Sequence, residues 1–165
     1  MIKEELLHPA ISHFPVALLT LVLVTKIAEL IVGQHNAQLK GQLNLISKFL
    51  LYTGTVMLLP SLFSGDIAFD IVKENMCSLI KVYQHDDLAH TTLYFFIAAM
   101  IFEITSGLDK IPARYKRPLK LGLLLSILTG NYYLFLTAQM GGKLVYQDGA
   151  GVSRPFKACS QEEHQ

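Results

Sequence analysis

Residues 11–32 read ISHFPVALLTLVLVTKIAELIV, a stretch whose only charged side chains are those of Lys26 and Glu29. A helix needs about 20 mostly apolar residues to cross a bilayer. The run shows neither the alternation of a strand nor the single apolar face of a soluble helix. It is also too long for the core of a signal peptide, and no basic segment precedes it. We therefore predict a permanent membrane-spanning helix.

Residues 46–72, 88–106 and 119–140 have the same apolar character. Of the 165 residues, 52% are hydrophobic and 16% are charged, whereas charged residues make up roughly a quarter of a soluble domain. No internal repeat is evident. The sequence therefore predicts an all-α fold: a polytopic four-helix bundle of up-down-up-down topology, forming a single domain over residues 1–165 whose last part, 141–165, is a tail.

The connections between helices predict the orientation. The side that carries connections 33–44 and 107–118 has 8 Lys and Arg against 3 acidic residues, and the side that carries both termini and connection 73–87 has 6 against 10. Short basic connections tend to stay in the cytoplasm. We therefore expect a multi-pass protein of the bacterial inner membrane with both termini in the periplasm. The net charge of +1 gives no electrostatic basis for nucleic-acid binding.

Two cysteines, Cys77 and Cys159, fall on the predicted periplasmic side. Disulfides form and persist in that compartment. A bridge between the two and a pair of free thiols are both compatible with the sequence.

The predicted threading brings the start of helix 1, the end of helix 2, the start of helix 3 and the end of helix 4 to one face. The candidate functional residues at this face are His8, His13, Gly65, Asp66, His85, His90, Gly141, Gly142 and Tyr146. His8 and His85 precede the predicted helices and should be hydrated. His13 and His90 lie in the first turns, where ionisable groups usually point into the bundle. Two such imidazoles could hold a haem iron from opposite sides.

Other interpretations of these histidines remain open. Together with His8 and His85 as second-choice ligands, His13 and His90 could bind Cu or Zn. Alternatively, all four could bind no cofactor and only form hydrogen bonds at the membrane interface. Each pair within one helix is five residues apart, which does not place both rings on one face. A site would therefore join one histidine from each helix.

Two further features complete the prediction. Lys26, Glu29, Lys48 and Glu103 gather near the opposite end, and Lys26 and Glu29 are spaced to form an ion pair. Gly141 and Gly142 are expected to end helix 4, so that Leu144–Tyr146 can fold as a lid over the histidines. The sequence lacks a Gly-x-Ser-x-Gly motif and a phosphate-binding glycine loop, which argues against a self-contained enzyme.

Both ends of the chain resemble a family of bacterial membrane proteins. HPAISHFPVALL, residues His8–Leu19, is similar to the His-Pro-x-x-x-His-Phe-Pro-Ile-Ala-Leu-Leu opening of domain-of-unknown-function family 2231. GGKLVYQDGAGV, residues Gly141–Val152, is similar to the family's closing Gly-Gly-x-Leu-Val-Tyr-x-His-Gly-Val-Gly-Val. Asp148 stands where the family often has His. Gly65-Asp66 and His90 fall where the family also tends to have Gly, Asp and His.

The resemblance implies about four spanning helices and, because some members are joined to cytochrome-c-like domains, a redox or haem-linked setting. The leading hypothesis is a haem b protein that transfers electrons near the periplasmic face within a respiratory assembly. Its expected partners are the lipid bilayer, other membrane subunits, a c-type cytochrome or further copies of itself. The alternatives are a cofactor-free accessory or assembly subunit and a periplasm-facing Cu or Zn site.

Overall fold

The computed structural model describes residues 7–32, 35–73 and 79–151, and over these ranges its regular structure is helical. The four long helices are α1 (Leu7–Val32), α2 (Ala37–Val72), α3 (Ile80–Gly107) and α4 (Ala113–Tyr146). Each is long and apolar enough to cross a membrane. The predicted all-α membrane bundle is therefore confirmed. Cys77 and Cys159 lie outside the described residues.

All four helices begin earlier in the chain than the apolar segments predict. They start at residues 7, 37, 80 and 113 rather than 11, 46, 88 and 119. The apolar run marks only the part of a helix inside the hydrocarbon, about 30 Å thick, whereas the 36 residues of α2 extend about 54 Å. Asn36 sets the start of α2, because its side chain accepts a hydrogen bond from the Leu39 backbone N–H. The helices therefore project beyond the hydrocarbon.

The end of α4 differs from the prediction as well. Gly141 and Gly142 do not end the helix, which continues to Tyr146. The backbone takes positive φ only later in the described chain, at Gly149 (74°) and Gly151 (69°). Residues 144–146 are accordingly the last turn of α4 rather than a separate lid, and the segment after the helix begins at residue 147.

The bundle consists of two helical hairpins. α1 packs closely along α2 and α3 along α4, whereas the contacts between the hairpins are sparser. The apolar core runs through the centre and comprises Leu19, Val22, Leu51, Leu58, Leu93, Phe96, Ala99, Leu123, Ile127 and Leu134. Large apolar side chains also cover the outside, among them Phe14, Ile31, Phe63 and Phe135. Such an outer surface suits contact with lipid and would be unusual in water.

The two hairpins are built in the same way. A Cβ added to Gly54 of α2 would lie 2.7 Å from Leu19 Cδ2 of α1, and one added to Gly130 of α4 would lie 3.1 Å from the Phe96 ring of α3. In each hairpin a glycine thus lets a large core side chain lie against the neighbouring helix. Phe96 follows Leu19 by 77 residues and Gly130 follows Gly54 by 76. The second hairpin thus repeats this contact of the first, although no repeat is evident in the sequence.

The candidate histidine site

His8 is held against α2 by hydrogen bonds. Its Nδ1 lies 3.0 Å from the Ser61 carbonyl oxygen and 3.2 Å from Ser64 Oγ. A carbonyl can only accept, so the contact with Ser61 assigns the proton to Nδ1 and leaves Nε2 of the neutral ring unprotonated. The expectation that His8 precedes the helix and is hydrated is wrong, because α1 begins at Leu7 and the ring is partly buried.

His85 occupies the equivalent place in the second hairpin. A Cβ on Gly65 would lie 3.2 Å from His8 Cε1, and one on Gly141 would lie 3.1 Å from His85 Cε1. His85 follows His8 by 77 residues, and Gly141 follows Gly65 by 76. The same two spacings relate the core residues Leu19 and Phe96 and the core glycines of the two hairpins. His85 also lies inside its helix, because α3 begins at Ile80, so its predicted position before the helix is wrong as well.

The two rings meet across the centre of the bundle. Their centroids are 6.3 Å apart and their planes are at 82°. They come from α1 and α3, which are diagonal to one another and make no close backbone contact within the described chain. The similar contacts of the two hairpins therefore place one imidazole from each next to the other.

The surroundings of the two rings differ in one respect. His85 Nδ1 is buried and has no hydrogen-bond partner among the described residues. The backbone of Thr137, which corresponds to Ser61, lies close to the His85 ring but outside hydrogen-bonding geometry. Met140 corresponds to Ser64 and supplies no hydroxyl. Unsatisfied buried polar atoms are rare and are often found at functional sites.

His13 and His90 lie elsewhere. His13 is exposed, and its Nδ1 donates to the Pro9 carbonyl oxygen of its own helix. The side chain of His90 is 45% exposed, and its Nδ1 lies 3.1 Å from the Asp86 carbonyl oxygen and 3.3 Å from Asp86 Oδ1. Five residues rotate a side chain by about 140° around a helix. With His8 and His85 pointing inward, the second histidine of each helix therefore points away from the axis.

The other residues expected at this face have different positions. Gly65 and Gly141 contact the paired histidines, whereas a Cβ on Gly142 would meet nothing within 4 Å. Asp66 and Tyr146 are exposed. Asp148 forms an ion pair with Lys81, with Oδ1 and Nζ 2.9 Å apart, and so connects the segment after α4 to the first turn of α3.

A second polar cluster joins the hairpins near the opposite end. Lys26 pairs with Glu29 at 3.0 Å, which confirms the pair expected from their spacing. Glu103 is only 5% exposed. Its Oε1 lies 3.1 Å from Lys48 Nζ and its Oε2 lies 3.9 Å from Lys26 Nζ. Lys26 follows His8 by 18 residues, and Glu103 follows His85 by 18. The repeat therefore also places one charge from α1 opposite one from α3.

A metal held by protein side chains alone finds no support in the described chain. Within residues 7–32, 35–73 and 79–151, no group of three or more His, Cys, Asp or Glu side chains is arranged to hold a metal ion. His8 and His85 are two potential ligands without a third. The Cu or Zn site considered from the sequence is therefore not supported by this part of the chain.

The sequence profile of the family described as "Predicted membrane protein (DUF2231)" matches residues 5–154. The chain belongs to this family. The matched range includes all four helices and both inward histidines of this DUF2231 protein. No curated protein and no solved structure gives a significant match.

The sequence favours His13 and His90 as the central pair, whereas the fold brings His8 and His85 together. The sequence feature that indicates His8 and His85 is a spacing shared by the two hairpins. In α1 and in α3 the histidine precedes the large core residue, Leu19 or Phe96, by 11 residues. In α2 and in α4 the two contacting glycines are also 11 residues apart. This pattern involves few identical residues, which makes it hard to see before the helix contacts are known.

Proposed function

We propose that this DUF2231 protein is an integral membrane haem b protein that acts in electron transfer, in which His8 and His85 would hold the haem. The observation that carries the proposal is the placement of two imidazoles from diagonal helices on either side of the bundle axis, with centroids 6.3 Å apart. Four-helix bundles commonly hold cofactors between side chains of facing helices. His8 and His85 thus take the place of His13 and His90, the ligand pair that the sequence favours.

The two rings are close enough for both histidines to hold the same group. Their centroids are 6.3 Å apart, although α1 and α3 make no close backbone contact within the described chain. Residues from diagonal helices would therefore hold a cofactor placed between them.

The hydrogen bonds of His8 also suit a ligand. Metal-bound histidines usually donate their second ring N–H to a carbonyl or carboxylate, which fixes the tautomer and the orientation of the ring. The contact between His8 Nδ1 and the Ser61 carbonyl oxygen has this form. A pair of histidines without a third protein ligand suits haem, whose porphyrin supplies four nitrogens, better than it suits Cu or Zn.

When bound, haem supplies a reversible one-electron couple whose potential the protein adjusts through the axial ligands and their hydrogen bonds. The chain contributes two fixed imidazoles and an apolar core that begins below them with Leu19 and Phe96. The basic connections predict that the histidine end faces the periplasm. In that orientation a c-type cytochrome or another membrane subunit could exchange electrons with the site within a respiratory assembly.

An optical spectrum of the purified protein tests the proposal. The full chain is reconstituted in lipid nanodiscs, supplied with haem and examined in the oxidised and reduced states. We expect a low-spin spectrum typical of two axial imidazoles, which is lost in His8→Ala and in His85→Ala. His13→Ala and His90→Ala are matched controls, because they remove the same side chain from the same helices, and both should keep the spectrum.

Three outcomes would contradict the proposal. If no variant and no preparation of the wild-type protein binds haem, the iron site does not exist. If His13→Ala and His90→Ala abolish the low-spin spectrum while the other two variants keep it, the ligand pair is the one expected from the sequence. A colourless, metal-free protein that copurifies with a defined membrane complex would support an accessory or assembly subunit instead.

A further inference from the structure

A group of exposed basic side chains surrounds the start of α4, at the end of the bundle away from the histidines. Between Gly107 and Lys120 the chain carries one acidic residue, Asp109, and five basic residues: Lys110, Arg114, Lys116, Arg117 and Lys120. All five except Lys116 are exposed, and Lys116 is partly exposed. Within the part of the chain that the structure describes, none of the five forms an ion pair. The haem proposal makes no use of this group.

The position of these cations is unfavourable for the helix itself. The start of a helix carries a partial positive charge, which favours acidic side chains in the first turn and disfavours basic ones. The first turn of α4 has no acidic residue. An anion outside the chain would offset this repulsion.

Two of the basic residues continue the lipid-facing surface of α4. Besides Tyr115 and Tyr146 near its two ends, the exposed large apolar residues of this helix are Leu121, Leu125, Leu128, Tyr132 and Phe135. They follow one another at intervals of three or four residues and therefore form a single stripe along the helix. Extending the stripe towards the start of the helix at the same intervals reaches Arg117 and then Arg114.

Helix geometry separates these arginines from the neighbouring lysines. At 100° per residue, Arg114 and Arg117 lie within about 40° of the direction of Leu121, whereas Lys120 and Lys116 lie about 100° and 140° away. Arg117 lies about 6 Å closer to the start of α4 than Leu121 does. The arginines are therefore at the level where the headgroup of a lipid lies when its acyl chains cover the stripe.

We propose that Arg114 and Arg117 bind the phosphate of an anionic phospholipid whose acyl chains lie along the apolar stripe of α4. A guanidinium can donate two parallel hydrogen bonds to a phosphate, which gives geometry as well as charge. Arg114 lies over the ring of Tyr115, with Cζ 4.7 Å from the centroid. Tyrosine is enriched at membrane interfaces, so this contact suits a side chain held at headgroup level.

Native mass spectrometry of the full chain tests the proposal with a defined probe. The detergent-solubilised protein is titrated with phosphatidylglycerol and, separately, with phosphatidylcholine of the same acyl chains. We expect a preference for phosphatidylglycerol, which falls about tenfold for each arginine replaced in Arg114→Gln and Arg117→Gln, because each loses charge-assisted hydrogen bonds to the phosphate. The double variant Lys116→Gln/Lys120→Gln removes the same charge from another face and should keep most of the preference.

Several outcomes would overturn the proposal. Equal losses in the arginine and lysine double variants would show diffuse attraction rather than a site. An equal response to inorganic phosphate would show that the residues bind phosphate without the lipid, and saturation by a copurifying protein would show a different partner. The double variant Arg114→Lys/Arg117→Lys keeps both positive charges. It serves as a control in case the glutamine variants fail to fold. This variant should bind phosphatidylglycerol with an affinity between those of the wild type and the glutamine variant.

Discussion

Replacing Gly54 by Ala tests whether the first hairpin depends on the absence of a side chain at this position. The new Cβ would lie 2.7 Å from Leu19 Cδ2, 2.8 Å from Leu19 Cγ and 3.2 Å from Leu18 Cβ. Leu19 is fully buried, so its side chain cannot move out into solvent without leaving the core. Inserting a methyl group into a packed core costs about 1–3 kcal/mol, and contacts this short favour the upper half of that range.

The helix propensity of Ala opposes this cost. Ala is more favourable than Gly in a helix interior by about 1 kcal/mol. The expected net effect of Gly54→Ala is therefore a loss of about 1–2 kcal/mol in the free energy of unfolding. Gly41 provides the matched control, because it lies in the same helix, is exposed, and would place a Cβ with nothing within 4 Å. Gly41→Ala should accordingly raise the free energy of unfolding by up to about 1 kcal/mol.

Reversible unfolding in mixed micelles, with the denaturing detergent titrated and helix content followed by circular dichroism, measures both effects. The midpoint should fall for Gly54→Ala and rise for Gly41→Ala. A Cβ on Gly130 would lie 3.1 Å from the Phe96 ring, so the midpoint should fall less for Gly130→Ala than for Gly54→Ala. A rise in midpoint for Gly54→Ala equal to that for Gly41→Ala would refute the argument, because it would mean that the contact with Leu19 places no constraint on this glycine.

Three further predictions use the same unfolding measurement. Glu103→Gln should lower the free energy of unfolding by about 1–3 kcal/mol, because Lys48, whose side chain is 33% exposed, would lose its hydrogen bond to a charged acceptor; a loss below about 1 kcal/mol would show that the cluster is hydrated. Phe96→Ala should cost about 3–5 kcal/mol by leaving a cavity in the core, and a smaller cost would mean that the neighbouring helices collapse into the space. A double-mutant cycle between Lys81→Gln and Asp148→Asn should give a coupling of at most about 1 kcal/mol, since the lysine side chain is 45% exposed. A coupling of several kcal/mol would indicate that this pair is shielded from solvent.

The sequence was sufficient to predict the membrane bundle because the signal for each helix is local. A run such as Leu93–Phe102 without a charged residue indicates a spanning segment whatever the rest of the chain does. The helix starts were placed too late because His8, His85 and the acidic residues after it are polar. Polarity marks the edge of the hydrocarbon, and a helix can continue beyond that edge with its backbone hydrogen bonds intact.

The choice between the two histidine pairs could not be made from depth alone. His13 and His90 lie five residues further into their helices than His8 and His85, and a position nearer the middle of a spanning helix favours an inward orientation. The direction in which a ring points depends instead on the rotation of the whole helix, which is fixed here by distant contacts such as Leu19 with Gly54. The end of α4 was mispredicted for a related reason. Gly141 favours a helix end by its intrinsic properties, but in the fold it accommodates the His85 ring.

The arrangement of the two hairpins means that neither of them holds a complete polar cluster between α1 and α3. One hairpin supplies His8 and Lys26, and the other supplies His85 and Glu103. Association of the hairpins would therefore be needed before either cluster could form, at whatever moment in biosynthesis the second hairpin enters the membrane. A chain halted after α2 would keep the bonds from His8 to Ser61 and from Lys26 to Glu29, but His8 would lack the facing ring of His85 and Lys48 would lack its partner Glu103, which distinguishes a half-made protein chemically from a finished one.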